Sequence, residues 1–367
     1  VAGRLRPHLH AVLAAFASLG ALLCGSVTLR AQTPPPDAPP IKQLVSPSES
    51  FYLEGNPAFI LWPAEANRQT PQPWVLYGPT LPAYPDRHEQ WMHEQFVAAG
   101  IAVAGIDAGE AYGSPAGQQA LTQLYRELTQ RRGFAKKPCL LGRSRGGLWV
   151  SSWAIRHVDQ VAGLAGIYPV FDLRTYPGLS RAAPAYELTP EALEEALAEH
   201  NPVAQLATLA QAKIPAFLIH GTDDKVVPLK ENSATLREIY KQQGAADAVE
   251  LVAVEGQGHN FWPGFFRHQP LVDFVIERAR SGAREASALS QVSSDAPPFL
   301  IMHGAEDPGV PLEQSQRLYD KLIAAGVDAQ LHVLPGAGHG GKAFRTPEMQ
   351  SVIRHFFDQH LPPPATP

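Results

Sequence analysis

Ser144 stands in Gly142-Arg143-Ser144-Arg145-Gly146-Gly147, behind the apolar run Pro138-Cys139-Leu140-Leu141 and ahead of Leu148-Trp149-Val150. A serine hydroxyl is a poor nucleophile until a base takes its proton. Two histidines could act as that base. Each has an aspartate upstream that would hold the imidazole in one tautomer and stabilise its cation. The first pair is Asp224, in His220-Gly221-Thr222-Asp223-Asp224-Lys225-Val226-Val227-Pro228, with His259 in Gly256-Gln257-Gly258-His259. The second is Asp307, in His303-Gly304-Ala305-Glu306-Asp307-Pro308-Gly309-Val310-Pro311, with His339 in Gly336-Ala337-Gly338-His339. The separations within the pairs, 35 and 32 residues, nearly match. Asp223 neighbours Asp224, but Asp307 aligns with Asp224 in the repeated pattern, so Asp224 is the preferred acid.

Gly-x-Ser-x-Gly between an apolar strand and a helix makes a sharp, strained turn that lifts the serine above the carboxyl end of a sheet. Gly142 and Gly146 leave room where a side chain would collide with the neighbouring strand or helix. The helix that follows points the positive end of its dipole at Ser144. The Arg145 N–H is the first natural oxyanion donor. The five-letter pattern is short and also occurs in ordinary glycine-rich turns. The strand before it and the helix after it favour the nucleophilic reading.

The elements that must position these residues alternate. Buried strands are expected at Trp74 to Tyr77, Ile101 to Ile106, Pro138 to Leu141 and Val161 to Ile167, with helices between them. Such alternation implies an α/β fold, a mostly parallel sheet covered by helices on both faces. Residues 172–212 break the rhythm with Tyr176-Pro177-Gly178 and an Ala/Glu-rich helix, as a lid-like insertion would. The pattern resumes with a strand at Ile214 to Ile219, a helix, a strand at Glu250 to Val254, the His259 loop and a helix from Leu271. A Ser/Ala-rich linker, 281–296, follows. Residues 297–361 then repeat strand, helix, strand, His loop and helix, without a second Gly-x-Ser-x-Gly. The tail reads as the acid–histidine half of a hydrolase.

The chain has 367 residues, 45% apolar and 18% charged, with net charge −5. That balance suits a sizeable core and gives no basic face for nucleic acid. Arg4 and Arg6 precede an apolar run, Ala11 to Leu29, and a Pro-rich leader follows at 32–40. Residues 1–31 read as a secretory signal cleaved after Ala31, with an uncleaved membrane anchor as the alternative. Cleavage implies a secreted or periplasmic protein without stable membrane insertion. It leaves Cys139 as the one cysteine, hence no internal disulfide. No Cys/His spacing calls for a metal, and no cofactor is expected.

Residues 40–280 resemble an α/β-hydrolase of the prolyl-oligopeptidase/dienelactone-hydrolase-like group, in which the chain order is Ser, Asp, His. Residues 296–360 resemble the C-terminal end of acetylxylan/feruloyl esterase-like hydrolases, through Pro297-Pro298-Phe299-Leu300-Ile301-Met302-His303-Gly304 and Pro335-Gly336-Ala337-Gly338-His339-Gly340. Many such esterases carry His-Gly-Gly after the strand that supplies a second oxyanion donor. Here the matching position reads Tyr77-Gly78-Pro79-Thr80, and Pro79 has no N–H, which leaves Thr80 as the second donor. Arg145 beside the nucleophile is similar to the arginine of glucuronoyl esterases that helps stabilise the oxyanion; a structurally paired arginine is the plain alternative.

Asp224 and His259 are the favoured partners of Ser144, because they complete the sheet in unbroken order. Asp307 and His339 are the alternative acid and base. The tail could extend the sheet edge, complement a neighbouring subunit or persist as a duplication remnant. Among the aromatics near the elbow most belong in the core; Trp262 and Tyr176, in Pro/Gly-rich loops, are the substrate-binding candidates. The resemblance implies a secreted serine hydrolase of carboxylic esters, borne by a small molecule or a polysaccharide, with acetyl, feruloyl or uronate groups. A prolyl-oligopeptidase-like serine peptidase is the alternative, weakened by the lack of a propeller-length region ahead of the hydrolase domain. A catalytically silent scaffold used for binding is the alternative of another class.

Overall fold

A computed structural model of the chain describes residues 44–78, 84–285 and 292–361. The signal and leader expected at 1–40, and Thr80, lie outside the described residues. Eight strands form one sheet in the order β1-β2-β4-β3-β5-β6-β7-β8. They are β1 (Ser48–Leu53), β2 (Asn56–Leu61), β3 (Trp74–Gly78), β4 (Ala102–Ile106), β5 (Cys139–Arg143), β6 (Gly163–Ile167), β7 (Ala216–Gly221) and β8 (Val249–Val254). β1 and β2 pair antiparallel, β2 runs antiparallel to β4, and all other pairs are parallel.

The parallel strands are continuous apolar runs because both faces are covered. Along β3, Trp74 and Leu76 enter one core, and Val75 and Tyr77 enter the other. The first core packs α2 (Pro115–Arg126), α3 (Gly146–Arg156) and α9 (Ser233–Gln242) on the sheet. The second packs α1 (Gln90–Ala98), α10 (Pro263–Phe266) and α11 (Gln269–Glu285) on the opposite face. Ser114 caps α2, accepting from the Gly117 N–H, with Pro115 at the first helical position, as Gly113-Ser114-Pro115 leads one to expect.

The 172–212 segment forms five short helices, α4 (Leu179–Ala182), α5 (Pro190–Glu195), α6 (Leu197–His200), α7 (Pro202–Gln205) and α8 (Ala207–Gln211). Leu173, Ala182, Ala183, Tyr186 and Leu193 from this segment pack against Leu148 at the start of α3 and Val227 after β7. The insertion therefore touches the ends of the very elements that carry Ser144 and Asp224.

The structure adds one feature to the sequence reading and removes one of its alternatives. The hairpin β1–β2 was not expected; its two-residue turn, Glu54-Gly55, has φ 49° and 84°, the paired positive values of a tight hairpin turn. The tail does not extend the main sheet. β9 (Phe299–Gly304) and β10 (Ala329–Leu334) form a separate two-stranded parallel sheet, with α12 (Leu312–Ala324) and α13 (Pro347–His360) alongside. Its small core centres on Leu322, Val327 and Ala329.

Candidate active site

β5 ends in the turn that carries Ser144. Its φ of 51° is a left-handed conformation that costs a side-chain-bearing residue roughly 1–3 kcal/mol and persists where surroundings enforce it. The enforcement is visible. The Ser144 N–H donates to Ile167 O at 2.9 Å, and its carbonyl accepts from both Gly147 and Val170 at 2.9 Å. A Cβ on Gly142 would lie 2.7 Å from Gly146 O, so strand and helix meet at a distance that excludes any side chain there.

Ser144 Oγ lies 2.9 Å from His259 Nε2, and His259 Nδ1 lies 2.7 Å from Asp224 Oδ2. Asp224 comes from the turn after β7 and His259 from the loop after β8, so three residues far apart in sequence meet at the carboxyl edge of the sheet. Asp224 is buried. Burial alone would raise its pKa, but hydrogen bonds from His220, His259 and the Val227 N–H hold the carboxyl well below the usual aspartate range. It stays ionised at neutral pH. His220, buried behind it, bonds Ser233 Oγ and Val227 O, both at 2.8 Å. It is the strand-end residue that its place before Gly221 suggests.

The second pair is complete but stands apart. His339 Nδ1 lies 2.7 Å from Asp307 Oδ2, and His303 bonds Ser315 Oγ at 2.7 Å and Val310 O at 2.9 Å, as His220 does in the first copy. The structure brings Asp224 and His259 to Ser144 and leaves Asp307 and His339 in the tail. The His339 side chain is 71% exposed, against 18% for His259.

Arg145 caps α3 beside the nucleophile, so its N–H opens the helix terminus. Its guanidinium is paired with Glu110 and lies 5.3 Å from the Tyr84 ring. Trp262 is exposed and meets Phe265 edge-on at 5.3 Å. Tyr176 is half-buried against the cluster of Tyr112, Leu148 and Tyr186. Phe265, Phe266, Phe171, Tyr168 and Tyr186 are core residues, and so is Cys139.

One set of residues went unnoticed in the sequence. Arg143, immediately before the nucleophile, is buried with Glu89. Its Nη1 donates to Glu89 Oε2 at 2.7 Å and approaches Asp86 Oδ2 at 3.1 Å. Its Nε donates to Tyr168 Oη at 3.2 Å. Tyr77 Oη donates to Glu89 Oε1 at 2.7 Å. Burial pushes the Glu89 carboxyl up, against the pull of Arg143 and the Tyr77 hydrogen bond. The signal available was an arginine between a buried strand and a glycine-flanked serine, where an apolar residue would fill the same space. Among the described residues no cluster of three or more His, Cys, Asp or Glu could hold a metal ion.

The arrangement can take a proton from Ser144, carry it on His259 and offset the resulting cation with Asp224. The model of the prolyl oligopeptidase family matches residues 121–279 and, separately, 272–363. Over 76 residues the chain is 37% identical to Esterase LipC of Mycobacterium tuberculosis, which is 20% of this chain and 19% of LipC. The chain thus spans about a fifth of that curated relative's length. Among solved structures, Est1E from Butyrivibrio proteoclasticus has TM-score 0.48 and 16% identity, covering 64% of this chain and 99% of that one. A Mycobacterium tuberculosis puromycin-hydrolyzing peptidase has TM-score 0.48 and 17% identity, covering 66% and 40%. One family match carries the elbow with the first acid–histidine pair and the other carries the second pair; the chain belongs to the prolyl oligopeptidase family.

Proposed function

We propose that this chain is a serine hydrolase that cleaves carboxylic esters through an acyl-enzyme on Ser144. The observation that carries the reading is the continuous line from Asp224 through His259 to Ser144, with bonds of 2.7 and 2.9 Å, on a backbone held at φ 51°. As Ser144 Oγ attacks the ester carbonyl carbon, His259 Nε2 takes its proton. The carbonyl electron pair moves to oxygen, beside the Arg145 N–H. Collapse of this intermediate breaks the bond to the alcohol, which leaves with the proton from His259. Water then loses a proton to His259 and attacks the acyl carbon; release of the acid returns the proton to Ser144. The N–H of Thr80 remains the proposed second oxyanion donor. One such donor is worth roughly 10²–10³ in turnover.

The proposed substrates are esters carried by carbohydrates, with acetyl, feruloyl or uronate groups, met after export to the periplasm or beyond. The family resemblance and the signal-like N-terminus support this part. Trp262, exposed on the loop after His259, is the proposed surface for a sugar ring, with Tyr176 beside the insertion. A second reading, a peptidase of the prolyl-oligopeptidase type, is favoured by the family description itself, since the same three residues would attack an amide. Labelling by a fluorophosphonate, lost in Ser144→Ala, is the expected result for either enzyme. Turnover of acetylated xylan, feruloyl esters or glucuronate esters above that of Pro-peptides supports the esterase. The reverse order favours the peptidase, and a chain that neither labels nor turns over any of them is a binding scaffold.

A further inference from the structure

A histidine bonded to an aspartate through Nδ1 still pivots about that bond, and a base that pivots spends less time in line with its serine. A second constraint on the ring would hold it in line. The Tyr168 ring lies against the His259 imidazole, with centroids 4.3 Å apart and planes at 54°. Tyr168 follows β6 directly and has φ of 34°, a conformation that side-chain-bearing residues rarely adopt. Its N–H donates to Ile219 O at 2.8 Å. Phe265 meets its ring edge-on at 5.1 Å.

We propose that Arg143 is a positioning residue for His259, acting through Tyr168: the buried guanidinium ties down the phenol, and the phenol ring walls the imidazole between Asp224 and Ser144. The inference rests on Ser144 and His259 acting as nucleophile and base. Arg143 is itself held on several sides. Glu89 and Asp86 take its Nη1, and the rings of Tyr84 and Phe266 lie 4.5 and 4.8 Å from its Cζ. Glu89 is fixed in turn by the Tyr77 hydroxyl. Replacing a buried ion pair by apolar residues of the same shape is often neutral or stabilising, so packing alone does not explain a charge cluster beneath the nucleophile. The tail supplies the contrast. His339 has the same aspartate bond, yet among the described residues no aromatic ring stacks on it, and it faces solvent.

The test is Tyr168→Phe and Arg143→Lys, singly and together, assayed on a nitrophenyl ester. Tyr168→Phe keeps the ring and cuts the tie to Arg143. The expected result is a fall of ~10-fold in kcat with KM within about twofold, since small misplacements of a catalytic group are read in turnover. The double variant is expected to fall no further than the worse single one, because both residues act through one contact. The Nδ1–H proton resonance of His259, read by NMR, is expected to broaden in Tyr168→Phe, and this readout does not depend on turnover. Parent-like kcat together with an unchanged His259 resonance in Tyr168→Phe overturns the proposal, whether or not Arg143→Lys folds. Fluorophosphonate labelling of the parent separates the two layers: an unlabelled parent removes the reading of Ser144, whereas a labelled parent with indifferent variants removes only the role of Arg143.

Discussion

The two acid–histidine pairs are built alike and situated differently. In each, a strand ends in His-Gly, an aspartate follows four residues after that histidine, and a second histidine on the next strand's loop bonds the aspartate at 2.7 Å. Each first histidine bonds a serine of the following helix and the carbonyl of a valine. Strand registers match as well: Gly221 lies opposite Val254 in one copy, and Gly304 opposite Leu334 in the other. What differs lies outside the repeat. β7 has β6 and then β5 on its far side, which bring Tyr168 and Ser144 to His259, whereas among the described residues β9 pairs with β10 alone. An aspartate–histidine bond is thus a local product of two strands and two turns, and its chemical use depends on what the neighbouring strands bring to it.

The largest effect is expected at the serine. Ser144→Ala is expected to cut turnover of a nitrophenyl ester by ~10⁶-fold; residual turnover close to the parent's would mean that the tail, or another group, does the chemistry. Next is the acid. Asp224→Asn leaves the shape and reverses the preferred tautomer of His259, so turnover is expected to fall by ~10⁴-fold. Asp307→Asn is expected to leave turnover within about twofold.

A smaller effect is expected from packing. A Cβ on Gly221 would lie 2.1 Å from Gln257 O, and one on Gly304 would lie 2.3 Å from Gly338 O. In both copies a strand-end glycine lets the histidine loop close over the strand. Overpacking of this kind costs about 1–3 kcal/mol. Gly221→Ala is expected to lower both Tm and turnover by displacing the His259 loop. Gly304→Ala is expected to speed amide exchange in β9 and β10 and spare turnover.

The smallest effect is acid sensitivity. Asp307 has a desolvation penalty, outweighed by the Val310 and Gly309 N–H groups and His339, which bring it to about 2. A lowered carboxyl pKa contributes stability that is whole above the unfolded value of ~3.9 and is lost as pH falls through the folded value. Amide protection in β9 and β10, measured relative to the intrinsic exchange rate, is therefore expected to fall between about pH 4 and pH 2, and this part of the slope should vanish in Asp307→Asn. Asp224 follows the same sign, with its loss extending to lower pH.

Much of this was legible in the residues because it is local. The nucleophile turn is written in six consecutive residues, the parallel strands in short apolar runs, and Asp224 was separated from Asp223 by the repeat alone. Four features were not legible, the first for want of a pattern and the others for reasons of distance. In the β1–β2 hairpin β1 is half-buried along its whole length, with no alternation to mark it, and the buried apolar run of β2 is only four residues, Ala58 to Leu61. The partner of Arg143 lies 54 residues upstream, and only the fold brings Glu89, just before α1, to the end of β5. The placement of the tail depends on which edge β9 joins, and apolar strands of this kind could pair with β8 or with each other. The Arg145 side chain, for which the sequence left an oxyanion role and structural pairing both open, is paired with Glu110, a partner from the loop after β4 that no spacing rule connects to the elbow.

The most direct measurement is a paired one: His259→Ala and His339→Ala, each assayed on a nitrophenyl ester beside the parent. If Ser144 is served by the pair it touches, His259→Ala loses ~10⁶-fold in turnover and His339→Ala stays within about twofold of the parent. Near-normal turnover in His259→Ala with collapse in His339→Ala would contradict the assignment and move the base to the tail.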